Sequence, residues 1–124
     1  MRNMSFMLTK QQIRDRTKTV TRRMGWLKLR PGDLLCAVEK GMGLKPGERV
    51  ERIDTIRVLD VRQEPLKAML EDVDYGMAEC VKEGFGDHHT LRWPSEFVSF
   101  FCGSHKGCTP ESQVTRIEFE YVEV

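Results

Sequence analysis

Seven consecutive residues, Thr17-Lys18-Thr19-Val20-Thr21-Arg22-Arg23, hold three hydroxyls, one ammonium and two guanidinium groups. An ammonium, a hydroxyl and a guanidinium brought to one point suit a phosphate or a polarised carbonyl, since each donates hydrogen bonds and two are cationic. Thr19, Val20 and Thr21 are β-branched and stiff at χ1, which favours an extended backbone. Extension sends Lys18, Val20 and Arg22 to one face and Thr17, Thr19, Thr21 and Arg23 to the other. Convergence of Lys18, Thr21 and Arg22 therefore needs a twist or bend after Thr19. Without one, the segment is an exposed strand carrying solvated cations.

A second cluster is Cys102-x-x-His105-x-x-Cys108, with Cys80, His88 and His89 upstream. Two thiolates, one imidazole and a fourth ligand from His88, His89 or Cys80 would make a tetrahedral zinc site. The spacing matches no standard finger or ribbon, and free cysteines are commonly buried as small apolar groups. The expectation is therefore no metal and no cofactor. Phe97, Phe100 and Phe101 fall at helical spacing and read as core, not as a base-stacking platform. The pairs Gly41/Gly43 and Gly84/Gly86 lack the Lys-Ser/Thr that completes a phosphate loop.

A chain of 124 residues is enough for one domain, 1–124, with a real core. A net charge of +1 excludes a global basic field. The charge is uneven, however: residues 1–33 hold nine Lys and Arg against two Asp, so a local basic surface is expected. No apolar run reaches the roughly 20 residues of a membrane helix, and Met4–Leu8 is too short for a signal-peptide core. The reading is a cytoplasmic protein without membrane association, its four cysteines reduced.

Periodicity supplies the elements that would position these groups. Ser5–Leu8 reads as a first strand, and residues 10–16 as a helix capped by Thr9 with Gln12 at capping-box spacing. Arg30-Pro31-Gly32-Asp33 is a turn leading into a largely buried strand, Leu34–Glu39. Arg49–Arg62 follows the β period as two strands or one long bent one, ended by Pro65. Leu66–Leu70 and Asp74–Glu83 look helical, the latter with Met77, Cys80 and Val81 on one face and Gly84 as C-cap. After a loop, a helix from Pro94 or Ser95 turns Phe97, Val98, Phe100 and Phe101 inward. Val114–Val124 closes the chain as a strand, its apolar residues alternating with Arg116, Glu118, Glu120 and Glu123. The fold class is α+β: a small barrel of five or six strands with two or three short helices inserted.

Thr17-Lys18-Thr19-Val20-Thr21-Arg22, followed by Leu29-Arg30-Pro31-Gly32-Asp33-Leu34-Leu35, resembles the opening signature of the ASCH family, small β-barrel domains of the PUA-like superfamily. Lys82-Glu83-Gly84-Phe85 resembles the family's Glu-Gly-Phe element, Ser95–Phe101 its aromatic helix, and Val114–Phe119 its closing strand. The resemblance covers nearly the whole chain in order. It implies a cleft rimmed by Lys18, Thr21, Arg22 and Glu83 that takes RNA or a nucleotide-like ligand. Some bacterial relatives are small amidohydrolases that remove the acetyl group of N4-acetylcytidine with a Lys, a Thr and a Glu, which fall by motif on Lys18, Thr21 and Glu83. The loops Gly86–Trp93 and Cys102–Cys108 have no counterpart in those enzymes.

The first expectation is thus an ASCH-domain protein binding RNA or a modified nucleoside or nucleotide. Lys18, Arg22 and Arg23 would hold phosphate, Glu83 would accept from a base amino group, and Trp26 or Trp93 would stack. The alternative is an amidohydrolase of N4-acetylcytidine-like nucleosides. There Thr21 attacks the acyl carbon, Lys18 is the base if burial or the neighbouring Arg22 and Arg23 lower its pKa, and Glu83 orients or exchanges protons. A third class is a protein-interaction module whose partner the sequence does not identify.

Overall fold

The computed structural model describes residues 1–123. Among these, five strands form one curled sheet, a half-barrel: β1 (Arg2–Ser5), β2 (Val20–Arg23), β3 (Leu34–Val38), β4 (Arg52–Pro65) and β5 (Gln113–Tyr121), in the order β1-β3-β4-β5-β2. β1 runs parallel to β3, and the other pairs are antiparallel. Four helices are present among the described residues, one at each of the four segments whose pattern reads as helical: α1 (Lys10–Arg14), α2 (Ala68–Glu71), α3 (Val73–Cys80) and α4 (Pro94–Ser104). The fold class is α+β. No helix among the described residues is long and apolar enough to cross a membrane.

β4 is a single strand of 14 residues whose register with β5 shifts between Val58 and Asp60. Such a bulge bends a long strand and lets one sheet curl. One face of the curl holds Met4, Phe6, Ile13, Leu35, Ile56, Ile117 and Phe119. A second cluster, Leu66, Met69, Cys80, Phe97, Val98, Phe101 and Val114, fills the space where α2, α3 and α4 pack on the end of the sheet. β5 belongs to both clusters. Its residues Val114 to Ile117 are all buried, so Arg116 lies inside the protein and not on the solvent face that simple alternation suggested.

Several expectations are corrected. The first strand is Arg2–Ser5, because pairing with β3 starts at Arg2; only Phe6 follows it inward, while Met7 and Leu8 are exposed. Thr9 makes no side-chain cap on α1; its carbonyl accepts from Ile13. The buried face of α3 carries Gly76, Glu79 and Cys80, whereas Val81 is exposed, since Gly76 lies against Met69 and Pro94 and sets the rotation of the helix. Phe100 is 42% exposed, so only Phe97, Val98 and Phe101 of α4 point fully inward. Val124, the expected end of the closing strand, lies outside the described residues.

Candidate functional site

The β-branched run before Arg22 makes β2 an extended edge strand, bonded on one side to β5. Its approach is pinned at Thr19, whose N–H donates to the Lys82 carbonyl (2.8 Å) and whose carbonyl accepts from Phe119 (3.0 Å). That first bond ties β2 to a π-helical turn, Val81–Phe85, that continues α3. Gly84 in this turn has φ +98°, and a Cβ there would meet the Gln12 side chain at 2.9 Å and Lys18 Cβ at 3.3 Å. Glycine is what allows the turn to lie against Lys18. Wide turns of this kind recur at functional sites.

Across this contact Lys18 Nζ donates to both the carbonyl and Oε1 of Glu83, each at 2.8 Å. Arg22 donates through Nη1 to Glu83 Oε2 (3.0 Å), and through Nη2 to Glu79 Oε1 (2.6 Å) and Glu64 Oε2 (3.1 Å). Arg116, opposite Arg22 in the β2–β5 register, donates to both oxygens of Glu79. The buried charged residues among those described are three cations (Lys18, Arg22, Arg116) and three carboxylates (Glu64, Glu79, Glu83). Each is paired, which is what makes their burial tolerable. One donor is left over: the buried Arg22 Nε has no partner.

The electrostatics follow from this packing. Burial pushes the Lys18 ammonium down, against the opposing pull of Glu83. Burial also acts downward on Arg22, but the carboxylates of Glu83, Glu79 and Glu64 outweigh it and raise its pKa. For Glu79, burial acts upward, yet Arg116 and Arg22 hold its carboxyl at about 2.

Above the network lies a cavity of about 520 Å³. Lys18, Thr21, Arg22, Arg23 and Glu83 line one side of it. The other side is apolar, built by Phe85, Phe97, Phe100 and Phe101, with Ser104 and His105 at the end of α4 and Met7 and Leu8 from the loop after β1. The His105 ring stacks on Phe101, with centroids 4.1 Å apart. Thr21 Oγ accepts from Arg23 Nε at 3.1 Å, which leaves the hydroxyl proton free to donate. The hydrogen bonds among the described residues join Lys18 to Glu83 and not to Thr21.

Other sequence candidates lie elsewhere. Trp26 packs against the half-barrel core beneath Arg2, and Trp93 precedes α4 with Arg92 over its ring; neither lines the cavity. The sulfurs of Cys102 and Cys108 are 3.7 Å apart, while His105 Nδ1 is 2.8 Å from the Phe101 carbonyl oxygen. Among the described residues no three His, Cys, Asp or Glu side chains are grouped to hold a metal ion. Sequence reasoning missed Glu64, Glu79 and Arg116 and left Phe100 and His105 out of the cavity wall. One signal was available: Tyr75, Glu79 and Glu83 repeat every four residues, so a helix turns all three to one side.

No protein-family model matches the chain, and no curated protein matches it by sequence. Solved structures do match in shape. The ASCH domain from Lactobacillus crispatus superposes with a TM-score of 0.62 at 14% identity, over 96% of this chain and 77% of that one. A DUF984 protein from Enterococcus faecalis superposes with a TM-score of 0.58 at 17% identity, over 91% of this chain. The chain spans 66% of the length of that second protein. The fold is therefore ASCH-like.

Proposed function

We propose that the cavity between β2 and α4 binds a nucleoside-type ligand, free or as part of RNA. The observation that carries this reading is the pairing of a hydrogen-bonding floor (Thr21, Arg23, Glu83) with an aromatic wall (Phe97, Phe100, Phe101) across one cavity. A nucleobase has apolar faces and a polar edge, and pockets of a few hundred Å³ with a few convergent polar groups suit such ligands. Lys18 and Arg22 clamp the Glu83 carboxylate in place, so its remaining lone pairs can accept from a base amino group. Phe100 and His105 offer the stacking surface, in place of Trp26 and Trp93. Titration of the four ribonucleosides and N4-acetylcytidine by calorimetry tests the reading. At least one should bind saturably and lose affinity in Thr21→Val; no heat from any of the five overturns it.

A second reading is deacylation of an N-acylated nucleoside, favoured by the placement of Thr21 and a buried Lys18 on the same floor. Thr21 Oγ would attack the acyl carbon, its proton passing through Lys18 to the amine as the C–N bond breaks. Water would then release the acyl group from Thr21. The base role requires neutral Lys18, and burial is what pushes it that way. Incubation with N4-acetylcytidine should release cytidine and acetate in wild type and not in Thr21→Val or Lys18→Met. Absence of release by wild type removes this reading and leaves binding.

A further inference from the structure

The charges lining the cavity are compensated with one exception. Lys18 is paired with Glu83, and Arg22 with Glu64, Glu79 and Glu83. Arg23 has no carboxylate within ion-pair distance among the described residues. Its Nη2 donates to the Ser5 carbonyl at 2.6 Å, its Nε to Thr21 Oγ, and its guanidinium lies 4.7 Å from the centre of the Phe6 ring. All three partners are neutral. They fix the direction of the fork without cancelling its charge, and Nη1 makes no hydrogen bond within the protein. Burial pushes the guanidinium down to about 10, opposed only by the more distant Glu83. At neutral pH it is therefore a half-buried cation with no carboxylate partner among the described residues, its Nη1 open to the cavity side.

A neutral ligand filling the cavity would strip the remaining water from Arg23 and return no charge, which is unfavourable for an unpaired cation. A ligand carrying an oxyanion does the reverse: it replaces lost water with a charge-assisted, fork-shaped contact. The Thr21 hydroxyl, held at Arg23 Nε, stands ready to donate to the same oxygens.

We infer that Arg23 is an anion-anchoring residue and that the cavity's ligand is a nucleotide, its base against the α4 aromatics and its phosphate on Arg23 and Thr21. This rests on the nucleoside reading above and narrows it to phosphorylated forms. The phosphate can come from a free mononucleotide or from the 5′ end of an RNA strand.

The test measures calorimetric affinity for cytidine and adenosine, their 5′-monophosphates, and a tetraribonucleotide with or without a 5′-phosphate. At least one monophosphate, or the phosphorylated strand, should bind at least tenfold tighter than its unphosphorylated counterpart. Within the Arg23→Met protein the phosphorylated form should bind within twofold of its unphosphorylated counterpart, so that the advantage is erased, and Arg23→Lys should restore part of it. The monophosphates against the phosphorylated strand tell the two sources apart. Equal affinity for phosphorylated and unphosphorylated forms overturns the anion site and leaves the nucleoside reading standing. An equal loss for both forms in Arg23→Met also overturns it, because the residue then only shapes the cavity. If no nucleoside, nucleotide or strand binds, both readings fall together.

Discussion

Glu79 offers the sharpest test of the charge network beneath the cavity. It is 1% exposed and receives bonds from both Arg22 and Arg116. Burial alone would raise its pKa, yet the two arginines hold it at about 2 against an ordinary 4.5. At about 1.4 kcal/mol per tenfold change, the folded state favours the carboxylate by about 3 kcal/mol. Glu79→Gln keeps the shape and removes the charge, so Arg22 retains Glu64 and Glu83 but Arg116 keeps only the half-exposed Glu118. The expected loss is about 3 kcal/mol, in the range seen when one partner of a buried pair is deleted, or roughly 10 °C in Tm for a chain of this size. Because the folded pKa is depressed, the stabilisation is fully present above pH 4.5 and disappears as the pH falls towards about 2. Urea unfolding of wild type and variant at pH 7 and at successively lower pH reads both effects. The exposed pair Arg57–Glu120 provides the control: Glu120→Gln should cost less than ~1 kcal/mol. A loss under ~1 kcal/mol for Glu79→Gln at pH 7, or a gap that does not narrow in acid, refutes the reasoning.

Gly84→Ala should destabilise the fold by about 2 kcal/mol, since it combines φ +98° with a Cβ pressed on Gln12 and Lys18, and it should weaken nucleoside binding by moving the turn that carries Glu83; urea unfolding and calorimetry check the two parts. Phe100→Ala, at a position 42% exposed, should change stability by under ~1 kcal/mol yet lower ligand affinity at least ~5-fold through lost stacking. Trp93→Ala, outside the cavity, should leave affinity unchanged in the same titration. Gly76→Ala should be among the most damaging single changes, because a Cβ would sit 2.1 Å from the Met69 carbonyl oxygen; its melting curve should shift further than that of Gly84→Ala.

Patterns local in sequence are legible in the residues themselves. The β-branched run through Thr21 gives an extended strand, Pro65 ends β4, and alternation from Ile117 to Tyr121 gives β5. The ordered motifs pointed to an ASCH-like fold, and shape comparison gives the same answer. What was not readable depends on which faces a neighbour covers. Arg116 reads as a solvent-side residue until α3 is seen to bring Glu79 over that face of β5. Glu79 reads as an ordinary helix surface charge until Gly76 fixes the rotation of α3 against Met69 and Pro94. Phe97, Phe100 and Phe101 all line the cavity, but Phe100 alone is left exposed, which depends on what packs over the helix and not on spacing along it.

Amide chemical shifts recorded while cytidine 5′-monophosphate is added to uniformly labelled protein address the cavity most directly. The account predicts saturable shifts concentrated at Thr21 to Arg23, at Glu83 to Phe85 and along the Phe97–His105 side of α4. Shifts centred instead on Trp26 and the outer face of the sheet, or none at millimolar nucleotide, would contradict it.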